Sequence, residues 1–202
     1  DYYGNWKALM YQSKRAFAPI LINAIKEGDD LCVYHVSDEL QERDDVRLDV
    51  ELMDFDGKAH GKWTQSGMLA ANSSVLFMKK PAGELQGKLS AANSLLHFTL
   101  KTKNGATLAD DVFYFAYPKD QKLPEANIET SVRRRGDAIE MTLKTDKLAR
   151  DIFVEVPVQG VRFTDNFFDL LPGQRKKITI TSPEGHSLND FTFRLHQLGG
   201  VR

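Results

Sequence analysis

Between Asp165 and Thr181 the chain reads Asp-Asn-Phe-Phe-Asp-Leu-Leu-Pro-Gly-Gln-Arg-Lys-Lys-Ile-Thr-Ile-Thr, a run that few folds can use. An apolar cluster (Phe167, Phe168, Leu170, Leu171) enters Pro172-Gly173. That pair is turn chemistry, because proline presets φ and glycine accepts positive φ. Strict alternation follows, with Ile178 and Ile180 on one face and Lys177, Thr179 and Thr181 on the other. Such a pattern is a half-buried strand, and cluster, turn and strand together make the last corner of an antiparallel β-sandwich.

The same alternation recurs upstream. Val46, Leu48, Val50 and Leu52 interleave with Arg47, Asp49 and Glu51. Ile20–Ile25 and Leu31–Ser37 flank the turn Glu27-Gly28-Asp29-Asp30, and Asp56-Gly57 and Asn104-Gly105 are further turns. Strands are expected at 58–63, 74–79, 95–101, 112–117, 128–134, 138–145, 149–156, 160–164, 175–181 and 190–196. Turn signals at this spacing, with no convincing helix after the first, read as an all-β pair of sandwiches. The exception is the start, where Trp6, Leu9, Met10, Ala16 and Phe17 recur at helical spacing with Lys7, Lys14 and Arg15 mostly opposite. Pro19 ends this amphipathic helix near Phe17. A helix so short needs a surface to cover. It is expected to dock on the first sandwich, pair with another copy, or fray.

Two motifs carry a family resemblance. The opening Gly4-Asn5-Trp6-Lys7-Ala8-Leu9-Met10-Tyr11, continuing through Lys14-Arg15-Ala16-Phe17-Ala18-Pro19, resembles the end of the catalytic barrel in β-mannosidases of glycoside hydrolase family 2. The Asp165–Gly173 run resembles the "DN-aromatic-aromatic-D-L-x-PG" corner of their C-terminal Ig-like domain. The resemblance implies an all-β chain of two tandem Ig-like antiparallel sandwiches preceded by a short helix. Residues 1–18 would be the helix from the end of the barrel, 19–118 the first sandwich, 119–127 a Pro-containing linker and 128–202 the C-terminal sandwich. It also implies a parent enzyme that hydrolyses terminal β-D-mannosides with retention and without a cofactor, in a periplasmic, secreted or lysosomal setting. The partners implied are the catalytic barrel and its glycan substrate, with Trp6, Met10 and Phe17 as the barrel-docking face.

No catalytic constellation is legible in the chain itself. A retaining glycosidase needs two carboxyls about 5–5.5 Å apart. In the family these are barrel glutamates upstream of the opening helix, with no counterpart here. Asp49, Glu51, Asp54 and Asp56 read as a solvated strand face and turn. The histidines His35, His60, His97, His186 and His196 have no metal-ligand spacing. Cys32, the single cysteine, excludes an internal disulfide and reads as a buried thiol. A formal net charge of −1 gives no reason to expect nucleic acid or an acidic membrane. No apolar run approaches the length of a membrane span, and Asp1-Tyr2-Tyr3-Gly4-Asn5 lacks the basic and apolar regions of a signal peptide. Arg133-Arg134-Arg135-Gly136, the one concentrated basic run, reads as a solvated hairpin tip or a phosphate site.

Sugar binding by aromatic stacking remains open. Trp63, Tyr117, Phe163, Phe167 and Phe168 are the candidate rings. Trp63 either stacks on a glycan or plugs its sandwich core. Phe167 and Phe168 are expected on opposite faces, while Asp165, Asn166 and Asp169 either satisfy turn backbone or join Trp63 and Phe167 at a ligand. Alternatives to the accessory-region reading are a stand-alone carbohydrate-binding module, a protein-binding Ig-like scaffold, and the same region of a family 2 enzyme with another sugar specificity.

Overall fold

The computed structural model describes residues 4–183, 185, 188, 191–198 and 200–201. Helix α1 spans Ala8–Ala16 and stops ahead of Pro19. The chain divides into two compact units. One runs from Phe17 to Lys122; the other joins the leading segment up to Ala16 to everything from Leu123 onward.

The Phe17–Lys122 unit is a sandwich of two antiparallel sheets. Strands β1 (Ile20–Glu27), β2 (Asp30–Ser37), β3 (Arg43–Asp54), β4 (Ala59–Leu69), β5 (Ser73–Pro81), β6 (Ser94–Lys101) and β7 (Thr107–Tyr114) form it. The sheet orders are β1-β2-β5 and β4-β3-β6-β7. Period two does the sorting. In β3 the residues Val46, Leu48, Val50 and Leu52 enter the core, where Leu31, Val33 and Met78 of the other sheet meet them. A five-residue helix, α2 (Ala82–Gln86), plugs one end with Ala82 and Leu85. It falls where no helix was expected, being too short to show a 3.6-residue period. Strand β7 ends three residues before the expected Tyr117, which is exposed. At one seam the half-buried carboxylate of Asp111 on β7 accepts the Ala24 N–H of edge strand β1 at 3.0 Å. Burial pushes its pKa up.

The second unit is built the same way. Its strands are β8 (Ile128–Arg135), β9 (Ala138–Thr145), β10 (Ala149–Glu155), β11 (Arg162–Phe163), β12 (Phe168–Leu170), β13 (Arg175–Thr181), β14 (Arg194–Gln197) and β15 (Gly200–Val201). Sheets β12-β10-β14-β15 and β11-β13-β9-β8 enclose Ile139, Met141, Leu143, Ile152, Val154, Ile178 and Ile180. Strand β14 starts later than the expected 190, and Asp190 and His186 lie outside the described residues. The short β12 lies inside what reads from sequence as an apolar corner.

His35 is the unusual core residue. It lies on β2 opposite Ile22, fully buried, its ring edge-on to Phe77 at 5.8 Å. Among the described residues neither ring nitrogen has a hydrogen-bond partner. Desolvation of the imidazolium lowers its pKa from the ordinary value. A base whose folded pKa is depressed binds fewer protons folded than unfolded, so stability falls as pH drops below the unfolded value near ~6.5. We expect the unfolding free energy from urea titrations to fall between pH 7 and 5 with a slope approaching about 1.4 kcal/mol per pH unit from this group. In His35→Leu that part of the slope should vanish. An identical pH profile in the variant would remove His35 as its cause.

Candidate functional site: the helix and the Asp165 corner

The two motifs singled out in the sequence, some 150 residues apart, meet in space. Tyr11 of α1 is 2% exposed and belongs to the core of the second unit, not to the first sandwich. Burial pushes its phenol pKa up. Around it, Trp6 packs edge-to-face at 5.7 Å and Phe167 at 5.9 Å. Trp6 also lies under the guanidinium of Arg162 at 5.5 Å, a cation–π geometry. Arg162 donates to the carbonyl of Gly4, and Asn5 Oδ1 accepts the Gly160 N–H at 3.0 Å.

The polar side of α1 completes the contact. Lys14 Nζ donates to the Thr164 carbonyl at 2.7 Å. Arg15 forms an ion pair with Asp165 and donates to the Phe167 carbonyl at 2.7 Å. Lys176 of β13 reaches the other oxygen of Asp165 at 2.7 Å. One carboxylate thus joins the helix, the corner and a strand. The expected docking on the first sandwich is corrected by this: α1 presents Tyr11, Lys14 and Arg15 to the second. Leu9 (74% exposed), Met10 (47%) and Phe17 (84%) are left outward. Trp6 leaves that outward face because it precedes the first helical residue, Ala8, in an extended lead-in.

The other corner residues have partners within the fold. Asn166 is buried; its Oδ1 accepts the Val154 N–H at 2.9 Å and its Nδ2 donates to the Val154 carbonyl at 3.0 Å. The amide thus imitates a strand neighbour for β10 and satisfies a buried backbone pair. Phe168 enters the core, whereas Phe167, at φ 54°, turns out of it and stacks on Phe153 at 4.4 Å. A positive φ at phenylalanine is costly, and the contacts on both its ring and its carbonyl hold it there. Asp169 accepts the Asp151 N–H at 2.8 Å and pairs with Arg150 at 3.3 Å, fixing the bulge in β10 where Asp151 sits at φ 48°. Burial, then the Asp169 charge, raises the Asp151 pKa.

Trp63 is the remaining candidate. It pairs across β3 with Val50, so its indole turns to the core side of β4 and lies over Gly61. A Cβ on Gly61 would come within 2.7 Å of the ring, so only glycine leaves room there. A shallow depression of about 410 Å³ on β3, β4 and β6 is lined by Asp49, Glu51, Lys62, Thr64 and Lys101, with Trp63 itself in its wall. Its charges compensate each other, with Asp49 held by Arg47 and Lys101 (both 2.9 Å) and Glu51 by Lys62 at 3.0 Å. Cys32 is buried, and burial raises its thiol pKa. Among the described residues no group of His, Cys, Asp and Glu could hold a metal ion. No described helix is long and apolar enough to cross a membrane.

Comparison with known proteins agrees with this geometry. Residues 29–120 match the family model described as a mannosidase Ig/CBM-like domain, and residues 123–197 match that of the mannosidase Ig-fold domain. The chain is a C-terminal Ig-like region of the family 2 β-mannosidase type. It is 28% identical over 174 residues to the β-mannosidase of Capra hircus, covering 83% of this chain and 20% of the relative. For that of Mus musculus the figures are 26% over 186 residues, 89% and 21%. The chain therefore spans about a fifth of the length of these relatives. Among solved structures, the β-D-mannosidase of Dictyoglomus thermophilum superposes with a TM-score of 0.77 at 22% identity, over 98% of this chain and 24% of that one. The Amycolatopsis orientalis exo-chitosanase gives 0.69 at 17%, over 99% and 28%. Both sandwiches are thus Ig-like, as the resemblance implied.

The Asp165 hub has a direct test. Asp165→Asn keeps the shape but removes the charge shared by two cations, which should cost about 1–3 kcal/mol. Amide protons of α1 should then exchange faster, while those of β3 and β6 stay unchanged. Unaltered exchange in α1 would show that Tyr11 alone holds the helix.

Proposed function

We propose that this chain is the non-catalytic C-terminal accessory portion of a retaining β-mannosidase and that it supports the catalytic barrel of that enzyme. The observation that carries the reading is the two-sided helix. Its polar face is engaged by the Asp165 corner, and Leu9, Met10 and Phe17 remain outward, which suits an element loaded between a sandwich and a second body. The length ratio to the mannosidase relatives agrees. In this reading the two catalytic carboxyls of the retaining reaction are barrel glutamates outside the chain. The groups described above are tied to one another: Asp165, Asn166 and Asp169 each have structural partners. A second reading keeps the architecture and changes the sugar, since the exo-chitosanase fold is nearly as similar.

An aryl-glycoside panel decides. This chain should release no nitrophenol from β-D-mannoside, β-D-galactoside or β-D-glucosaminide. The product of the full reading frame that contains it should cleave the mannoside. Cleavage of the glucosaminide alone by the long form would establish the second reading. Turnover by the isolated chain would sink both.

A further inference from the structure

The basic run Arg133-Arg134-Arg135 is left unused by the accessory reading, and the fold divides it. On β8, period two turns Arg134 towards Leu188, whose carbonyl it bonds, and sends Arg133 and Arg135 to the outer face. Cross-strand register then builds rows on that face. From β8 across β9 to β13 these run Arg133, Glu140, Thr179; then Ser131, Thr142, Lys177; then Glu129, Lys144, Arg175. Five cations (Arg133, Arg135, Lys144, Arg175, Lys177) face two carboxylates, although the whole chain carries a net charge of −1.

The carboxylates are occupied. Arg135 and Lys177 hold Glu140 at 3.0 and 2.7 Å, and Lys144 lies 3.8 Å from Glu129. Arg133 and Arg175 have no ion-pair partner among the described residues. A depression of about 310 Å³ opens between Ser131, Val132, Arg133, Glu140, Thr142 and Lys177. Two rows and two strand spacings separate the free arginines, roughly 15–17 Å. One small anion cannot bridge that distance; a chain bearing repeated anionic groups can.

We propose that the outer face of β8-β9-β13 binds an acidic polysaccharide, with Arg133 and Arg175 as its two anchoring cations and the hydroxyls of Ser131 and Thr142 between them. The face offers no aromatic ring on which a base could stack. The apolar side chains it exposes, Ala138 and the 45% exposed Val132 at the wall of the depression, are too few and too small for a bilayer to take up. Charged forks separated by hydroxyl donors suit sugars whose acidic groups alternate with hydroxyls. This site is independent of the sugar specificity of the parent enzyme.

The test uses the full chain and two size-matched probes, a heparin octasaccharide for sulfate esters and an octagalacturonate for carboxylates. Binding of either, weakening as salt rises, is the expected result, and the better probe identifies the acidic group. Arg133→Gln/Arg175→Gln should weaken it about tenfold or more. Lys119→Gln/Lys122→Gln, which removes the same charge elsewhere, should leave it within about twofold. Equal loss in both variants would mean general charge attraction and overturn the site. Equal affinity for polyphosphate or single-stranded DNA would overturn the carbohydrate assignment, as would no binding of either sugar. An unchanged melting temperature in the arginine variant separates lost binding from lost folding.

Discussion

The carboxylate of Asp165 is the contact on which the second unit depends. It receives Arg15 from the helix and Lys176 from β13, and it caps the Asn166 N–H at 2.9 Å within its own corner. A nine-residue helix has no stability of its own to bring to this contact. It stays because Tyr11 fills a core position and because Arg15 can serve Asp165 and the Phe167 carbonyl together. A lysine there could supply the charge but not the fork. The strained φ of Phe167 belongs to the same arrangement, since it aims that carbonyl at the guanidinium.

Much of this fold is legible in the sequence, and the illegible parts share a cause. Alternation in β3 and β13 names both strand and buried face, because period two is a local property. Gly105 and Gly173 mark turns because positive φ is local too. Which sandwich the helix packs on is not legible, because amphipathic reasoning gives the stripe and not its neighbour. Here a lone tyrosine and two cations choose the partner, and the stripe of Leu9, Met10 and Phe17 faces away. Asn166 reads as a turn or ligand residue, and only the fold brings Val154 to its amide. Trp63 reads in the sequence as core or platform, and only the pairing of β4 with β3 sets it beside Val50. In each case a partner distant in sequence decided.

The arrangement also bears on what counts as the C-terminal domain. The Ig-fold match begins at residue 123, yet the core it encloses is completed by Tyr11. The first sandwich is therefore an insertion, running from Phe17 to Lys122 within the sequence of the second unit. Closing a flexible loop of roughly 100 residues costs about 4 kcal/mol of chain entropy, comparable to the burial of one large aromatic. A folded insertion reduces that cost, because its own core already restrains the intervening chain. The stability of the first sandwich thus contributes to keeping α1 on the second unit, with no contact between the two required. A segment beginning at Leu123 would lack both the tyrosine and the cation that its corner is built to receive.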